Sequence, residues 1–417
     1  MLDPRLSKIA VTGTVITITI LAYGSQLFLL APHLTTRQFY LLNTIVACIW
    51  ITYYRAMFTP AGSPPKDYTP PSAASASDAE SGHSHPSDRR MITSGATRFC
   101  KVCDAFKPAR THHCKTCKTC VLRMDHHCPW TYNCVGFCNT GHFIRFLVYA
   151  TAGCGYVLCF LAARWWAVYQ ARQLPDYLSP HSLGQLVFLT LLTLVDGPLT
   201  LALFILMVRT LANYGEGYTT IETFEAERHA ARVWKRQAKK QIFPYDIGIW
   251  ENLCAAFGYS CNPIAWLNPL ASTPRVGEKV EVSTGKGVMI LAGLEFEVNG
   301  FEDPDHTWPP ADPDKMGIVM PDGKKVSGFT LEGNMDVDAF RRRQKADLKR
   351  WERTVEDASD ESDSEEVEYP RQPWPAPSPW RNEDGETLAD YGVDEELEDD
   401  DEDVPLAVLQ ARIKARR

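Results

Sequence analysis

The chain has 417 residues, 45% hydrophobic and 23% charged, with 13 Cys and a formal net charge of −8. This composition excludes a collagen-like or wholly disordered chain, and the mean hydropathy of −0.21 is that of an ordinary soluble protein. The averages conceal two unlike parts. Glu356 to Asp403 carries 21 acidic residues against Arg371 and Arg381, a net of −19, which leaves a remainder of 41 basic and 30 acidic residues, net +11.

Four apolar runs follow in chain order. Ile9 to Leu30 is 22 residues without a charge. A bilayer core of about 30 Å needs roughly 20 helical residues, so this run can span. It is too long for the apolar region of a signal peptide and reads as a retained span. Phe39 to Tyr54 is a shorter second run. The third starts near Phe143 and ends at Trp165–Trp166, with Arg145 in its first turn, where a long side chain is expected to snorkel to the interface. The fourth runs from about Leu186 to Val208 and holds Asp196-Gly197-Pro198 at mid-depth, read as a satisfied kink rather than a functional acid. Residues 31–38 carry one base, Arg37, whereas 55–142 carry eleven. By the positive-inside rule the central loop is cytosolic, and both termini then face the cytosol.

The stretch from Thr59 to Arg90 is rich in Pro, Ser, Ala and Gly and reads as a flexible tether. The chain from Glu356 onward, with Trp374, Trp380 and the acidic block Asp394 to Asp403, cannot bury enough apolar surface to order itself. Between them, Val280 to Val282 and Lys324 to Phe329 suggest a small β module. Trp234, Lys235, Arg236, Lys239 and Lys240 are expected at the membrane surface.

Eight of the 13 Cys lie between Cys100 and Cys138. A reducing cytosol disfavours disulfides there. Cys pairs separated by two residues, with His nearby, are ligand sets for tetrahedral zinc, and there are enough Cys and His for two closed sites with groups left over. The leftovers matter most. Asp125-His126-His127-Cys128 places a carboxylate, two imidazoles and a thiol in four residues. A thiol of pKa about 8.5 is mostly protonated at neutral pH. An imidazole can take its proton, and a carboxylate can orient that imidazole. Consecutive side chains diverge, so one His can face the thiol while the other binds metal. On residues alone Cys128 is either a nucleophile at a membrane surface or one more ligand.

From Phe99 to Phe143 the chain resembles the DHHC family of protein S-acyltransferases. The resemblance rests on Cys100-x2-Cys103, Lys107-Pro108-x-Arg110, His113-Cys114-x2-Cys117-x2-Cys120, Asp125-His126-His127-Cys128-Pro129-Trp130, Asn133-Cys134-Val135-Gly136 and Asn139. Thr219-Thr220-Ile221-Glu222 matches the family's Thr-Thr-x-Glu motif. Asn252 to Phe257-Gly258 matches its Asn…Phe-Gly motif, with Ala256 where Val is usual. Met1 to Lys8, His142 to Phe146 and the acidic tail resemble the fungal endoplasmic-reticulum subfamily four. The resemblance implies an α-helical polytopic membrane protein with four transmembrane helices and a cytosolic zinc-binding DHHC domain between the second and third. The expected division is 1–58 (spans one and two), 59–97 (linker), 98–142 (zinc domain), 143–211 (spans three and four), 212–270 (juxtamembrane motifs), 271–350 (β-containing module) and 351–417 (acidic tail).

The same resemblance distributes the ligands. It implies one structural Zn2+ on Cys100, Cys103, His113 and Cys120 and a second on Cys114, Cys117, His127 and Cys134. Cys128 is then the nucleophile, His126 its base and Asp125 the orienter. Trp130 would border the acyl chain and Thr220 would support Asp125, while His112 and Cys138 stay unassigned. The implied activity is protein S-palmitoyl transfer from acyl-CoA (palmitoyl-CoA) by a ping-pong route through acyl-Cys128. Substrates would be membrane proteins with cytosolic cysteines, chitin synthase among them, at the endoplasmic-reticulum bilayer, with no nucleic-acid partner. Residues 98–123 carry seven bases against Asp104, a stripe read either as an attractor of CoA phosphates or as ordinary positive-inside bias. The rivals are a silent zinc-stapled membrane scaffold and a membrane-bound RING-like ubiquitin ligase, whose ligand spacing is not matched.

Overall fold

The computed structural model describes residues 4–69, 98–172, 182–234, 240–281, 289–300, 308, 318–319, 325–326 and 387–391. Among these residues four helices are long and apolar enough to cross a bilayer: Ser7–His33, Thr36–Phe58, Thr140–Ala171 and Leu183–Gly215. The first begins as α1 (Pro4–Thr19) and continues through two π-helical turns, Ile20–Gly24 and Gln26–Leu30, before a 3-10 turn at Ala31–His33. Side chains compete with the backbone ladder at this change of winding. The Ser25 hydroxyl donates to the Leu21 carbonyl, and Gln26 Nε2 donates to the Ala22 carbonyl at 2.7 Å. Gln26 is satisfied a second time by Asn43 Nδ2 of the next span, at 3.0 Å. An amide pair of this kind joins two helices where lipid offers no partner.

Helices α2 (Thr36–Phe58) and α4 (Leu183–Gly215) both open on capping boxes, Thr35 with Gln38 and Ser182 with Gln185. These satisfy the otherwise orphaned amides of the first turn. The helix between them, α3 (Thr140–Ala171), packs against both. At 1.5 Å per residue it is about 48 Å long and exceeds the hydrocarbon core, so part of it stands outside. Leu21, Leu30, Leu42, Val46, Val157, Leu161, Leu189 and Leu192 form the core of the bundle. Gly153 permits the close approach of α2, since a Cβ there would lie 2.8 Å from Ile49 Cδ1. Leu191, Leu194, Leu201, Phe204 and Ile205 of α4 are exposed, as expected of a lipid-facing surface.

Asp196 does not interrupt α4, which runs unbroken through Pro198. The carboxylate is fully buried, with Cys154 and Thr200 as polar neighbours. Arg145 departs from its expected place. It does not snorkel outward but is 3% exposed, and Nε donates to the Trp266 carbonyl at 2.7 Å while the guanidinium lies 5.3 Å from the Phe257 ring centroid. The carbonyls at the end of a short helix offer a buried cation more than the interface does.

Between α2 and α3 lie three two-stranded hairpins: β1 (Arg98–Cys100) with β2 (Ala105–Lys107), β3 (His112–Cys114) with β4 (Thr119–Val121), and β5 (His126–Cys128) with β6 (Asn133–Val135). After α4 come α5 (Thr220–Trp234), α6 (Ile249–Ala256), α7 (Pro263–Leu267) and the antiparallel pair β7 (Lys279–Glu281) and β8 (Met289–Leu291). Phe243, Tyr245, Ala292, Leu294, Phe296, Val298 and Trp308 share one apolar cluster with Leu122 and Phe137 of the zinc loop. Gly293, at φ +81°, sits where a Cβ would lie 2.8 Å from the Phe137 ring, a close approach that requires glycine.

Two compact units are formed, residues 1–226 with 241–309 and 388–417, and residues 227–240 with 310–387. In the second, β9 (Ile318–Val319) pairs antiparallel with β10 (Lys325–Val326). Residues 70–97, the basic positions 235–239 and the acidic block 394–403 lie outside the described residues.

Candidate active site

The three hairpins are too short to be stabilised by apolar burial alone, and what they bring together is metal ligands. The ligand atoms of Cys100, Cys103, His113 and Cys120 lie within 4.8 Å of one another, as do those of Cys114, Cys117, His127 and Cys134. His113 Nδ1 is 3.4, 3.3 and 3.8 Å from the three sulfurs of its group. His127 Nδ1 is 3.7, 3.4 and 3.5 Å from those of the other. A tetrahedral zinc at about 2.3 Å from sulfur and 2.0–2.1 Å from nitrogen requires N···S separations of about 3.6 Å. The two clusters fit that ion.

The interleaving follows from strand geometry. Successive side chains on a strand point to opposite faces. His113 and Cys114 are adjacent on β3 and therefore serve different clusters. Across each hairpin the register places His113 opposite Cys120 and His127 opposite Cys134. The turns that close the cysteine pairs carry Asp104 and Lys118 at φ 54°, and the amides of Cys103 and Cys117 donate to Cys100 Sγ at 3.4 Å and Cys114 Sγ at 3.3 Å.

The same alternation on β5 sends His127 to its cluster and leaves His126 and Cys128 together on the other face. His126 Nδ1 is 2.9 Å from Asp125 Oδ2. Cys128 is the charged neighbour of His126 on that face. With Nδ1 turned to the carboxylate, Nε2 is the nitrogen left for the thiol. Burial disfavours the imidazolium, yet the Asp125 hydrogen bond and the neighbouring Cys128 raise His126 to about 10. Burial likewise disfavours the thiolate, but the hydrogen bond and charge of His126, with Thr131, bring Cys128 below an ordinary thiol. Asp125 is held below the usual carboxylate range: against burial act His126 and the Thr220 amide.

Asp125 is buried and reached from a distant element. Thr219 caps α5, its hydroxyl accepting from the Glu222 amide at 3.3 Å while Glu222 Oε2 accepts from the Thr219 amide at 2.8 Å. This capping box leaves the next amide, of Thr220, free to donate to Asp125 Oδ1 at 2.5 Å. The positive end of α5 thus faces the Asp125 carboxylate. Glu222 is buried and paired with Arg110, whose Nε donates at 2.5 Å and whose Nη2 donates both to Glu222 and to the Gly217 carbonyl. Asn252 Nδ2 donates to the Gly215 carbonyl at 2.9 Å, fixing the exit of α4.

Cys128 is 4% exposed and clusters with Val135, with Phe143 and Leu147 of α3, and with Leu203 and Met207 of α4. The thiol is therefore at the head of an apolar seam between two spans. His126 lies edge-to-face with Phe143, centroids 5.3 Å apart. Trp130 is exposed, and its carbonyl accepts from Tyr53 Oη of α2 at 2.9 Å. Asn133 Nδ2 donates to three carbonyls at the end of α2, those of Ala56, Met57 and Thr59. His112 is buried with Nε2 3.9 Å from Glu225 Oε1. Cys138 packs beside the Leu122–Phe137 cluster, and burial raises its thiol to about 11.

The basic stripe of 98–123 is not one surface. Lys107, Arg110 and Arg123 are buried, the last donating to the Ala255 carbonyl at 3.2 Å. The role of Arg110 was open to a signal in the sequence: a basic residue in the zinc loop and a lone Glu opening a helix. The pairing itself, 112 residues apart, was not.

A family model described as DHHC palmitoyltransferase matches residues 93–227. Palmitoyltransferase pfa4 of Aspergillus fumigatus is 39% identical over 98% of this chain and 98% of its own. Palmitoyltransferase pfa4 of Emericella nidulans is 39% identical over 98% and 97%. Palmitoyltransferase PFA4 of Gibberella zeae is 33% identical over 94% and 90%.

Proposed function

The chain belongs to the DHHC palmitoyltransferase family and is a multi-pass protein S-palmitoyltransferase, and we propose that it acts through an acyl intermediate on Cys128. The observation that carries this reading is the position of the Cys128 thiol. It lies beside the Asp125–His126 relay and at the head of the apolar seam formed by Phe143, Leu147, Leu203 and Met207. A long acyl chain has an apolar path there, and its thioester carbonyl can stop at the sulfur.

The steps balance without a further reagent. The proton of Cys128 resides on His126, and the thiolate attacks the thioester carbonyl of long-chain acyl-CoA. The bond from that carbonyl to the CoA sulfur breaks, and CoA leaves with the proton from His126. A cytosolic cysteine of the membrane-protein substrate gives its proton to His126, attacks acyl-Cys128, and regenerates the Cys128 sulfur. One thioester replaces another, so the barrier lies in positioning and deprotonation. Asp125 holds the imidazole with its other nitrogen toward the thiol.

Zinc would be held on the two Cys3His sets and would supply cross-links between hairpins. With all four positions of each set filled by protein, no water is left to activate. Charge bias supports a cytosolic zinc loop and cytosolic termini, with the two short loops on the lumenal side. Subfamily resemblance points to the endoplasmic reticulum and to multispanning substrates, chitin synthase among them. Neither the scaffold nor the ubiquitin-ligase reading gains support, because neither uses a thiol, a relay and an apolar seam together.

The test is incorporation of labelled acyl-CoA into purified protein in bilayer discs. The expected result is a hydroxylamine-sensitive adduct on Cys128, absent in Cys128→Ser, with zinc content unchanged. An unlabelled wild-type protein would sink the reading.

A further inference from the structure

The acidic C-terminal region contains one short described element, the 3-10 turn Leu388–Tyr391. It belongs to the compact unit that holds the catalytic loop, and its Cα atoms come within 8 Å of those of β5, the strand of His126 and Cys128. Its Tyr391 ring meets the Phe224 ring edge-to-face, centroids 6.2 Å apart and planes at 67°. Phe224 is 1% exposed. It lies four residues past Thr220, hence on the same face of α5. Thr220 is the residue whose amide donates to Asp125.

These contacts form a chain: Tyr391 to Phe224, the first turns of α5 to Asp125, Asp125 to His126. The contact of one amide with one carboxylate depends on where the start of α5 sits. An edge-to-face aromatic pair contributes about 0.5–1.5 kcal/mol beyond its buried area. The backbone of the same turn lies against β5 itself. A segment that meets α5 at Phe224 and lies beside β5 restrains the separation of the two elements that carry the Thr220–Asp125 contact.

We propose that Leu388–Tyr391 is a positioning strap for the first chemical step, with Tyr391 bearing on Phe224 to hold α5 against the Asp125–His126 relay. The strap is a positioning element that acts through the Phe224 ring. The inference rests on the acyl-Cys128 reading above, and the experiment separates the two.

Full-length protein, wild type and the Tyr391→Ala, Tyr391→Phe, Phe224→Leu and doubly substituted variants, is assayed in bilayer discs for single-turnover acylation of Cys128 by labelled palmitoyl-CoA. Tyr391→Ala is expected to lower the maximal acylation rate roughly 10- to 100-fold, the cost of a slight misplacement of a catalytic group. The half-saturating palmitoyl-CoA concentration should stay within about twofold. Zinc at both clusters should be retained, and Tyr391→Phe, which keeps the ring on Phe224, should acylate faster than Tyr391→Ala. Tyr391→Ala and Phe224→Leu should be non-additive. Acylation of Tyr391→Ala at the wild-type rate overturns the proposal. So does a loss accompanied by loss of zinc, which would make the turn a folding element of the loop. So does a weaker half-saturation with an unchanged maximal rate, which would place its effect on donor binding. A wild-type protein that takes no label fails the underlying reading instead.

Discussion

The Thr220 amide donates to Asp125 Oδ1 at 2.5 Å across 95 residues of chain. The donor is the first amide of a helix that leaves the last span. The acceptor is the carboxylate that orients His126. The helix end thus supplies both a hydrogen bond and a favourable dipole to a buried anion, and the exit of the membrane bundle sets the orientation of the relay. Thr220→Ala keeps the backbone donor and removes only the side chain's effect on Asp125, so it should retain more activity than Asp125→Asn. Asp125→Asn should lower the rate of Cys128 acylation by about 10²- to 10⁴-fold, the usual worth of a general base held in the right tautomer. Single-turnover acylation compares the two, and equal losses would contradict a backbone role.

Replacement of His126 by Ala should raise the pH at which Cys128 reacts with a small alkylating reagent. The folded protein holds the thiol below its ordinary value against the opposing effect of burial, because of His126. Removing His126 leaves only Thr131 acting against burial, so the thiolate should form at a higher pH than in wild type, toward or above the usual thiol range of about 8.5. The alkylation rate against pH gives the answer, and an unshifted profile in His126→Ala would show that the imidazole does not act on the thiol.

Glu222→Gln should unfold the part of the protein outside the spans at neutral pH more readily than any other single change in the Thr-Thr-x-Glu motif. It strips Arg110 of its counter-charge inside a buried site, which typically costs about 3–5 kcal/mol. Thr219→Ala removes only the helix cap, worth about 1 kcal/mol. The pH dependence has a definite sign. Burial opposes ionisation of Glu222, but Arg110 holds its carboxyl below the usual range. A group with a depressed folded pKa contributes stability that is complete above its unfolded value, about 4.3 for Glu. That contribution is lost as pH falls through the folded value. Wild type should therefore lose its advantage over Glu222→Gln in acid, as followed by thermal unfolding in detergent at pH 7 and in steps below pH 4.3.

Metal analysis should find one zinc per cluster. His127→Ala should remove the ion on Cys114, Cys117 and Cys134 and leave the ion on Cys100, Cys103, His113 and Cys120. Cys128→Ser should remove neither, because alternation on β5 directs Cys128 away from the ligands. Zinc loss in Cys128→Ser would reassign that residue as a ligand.

Arg145→Ala should loosen α7 from α3. The side chain donates to the Trp266 and Ala265 carbonyls, and its removal leaves half-buried acceptors unpaired, at the low end of the roughly 1–3 kcal/mol that a buried one costs. Protease sensitivity between Pro263 and Leu270 reads this out. Unchanged sensitivity would show that the stacking of Phe257 on Trp266 suffices.

Much was legible in the sequence because it rests on local rules. Four charge-free or nearly charge-free runs define spans by length, since lipid leaves the backbone only helix or closed barrel and runs of about 20 residues suit the helix. The cysteine pairs announce zinc by spacing, and the divergence of neighbouring side chains already separated His126 from His127. Resemblance supplied the interleaved partition, and the pairing of His113 with Cys120 and of His127 with Cys134 gives it a geometric cause. The tertiary structure decided what depends on residues far apart. Arg145 looked like an interfacial cation because its neighbours in sequence are apolar, yet it is buried by carbonyls 120 and 121 residues away. Three of the seven bases of the zinc loop turned inward for the same reason. Glu222 with Arg110, Thr220 with Asp125 and Tyr391 with Phe224 join elements that no periodicity connects. Periodicity reports which face of an element is buried, whereas the partner on that face is set by packing, and only coordinates record it.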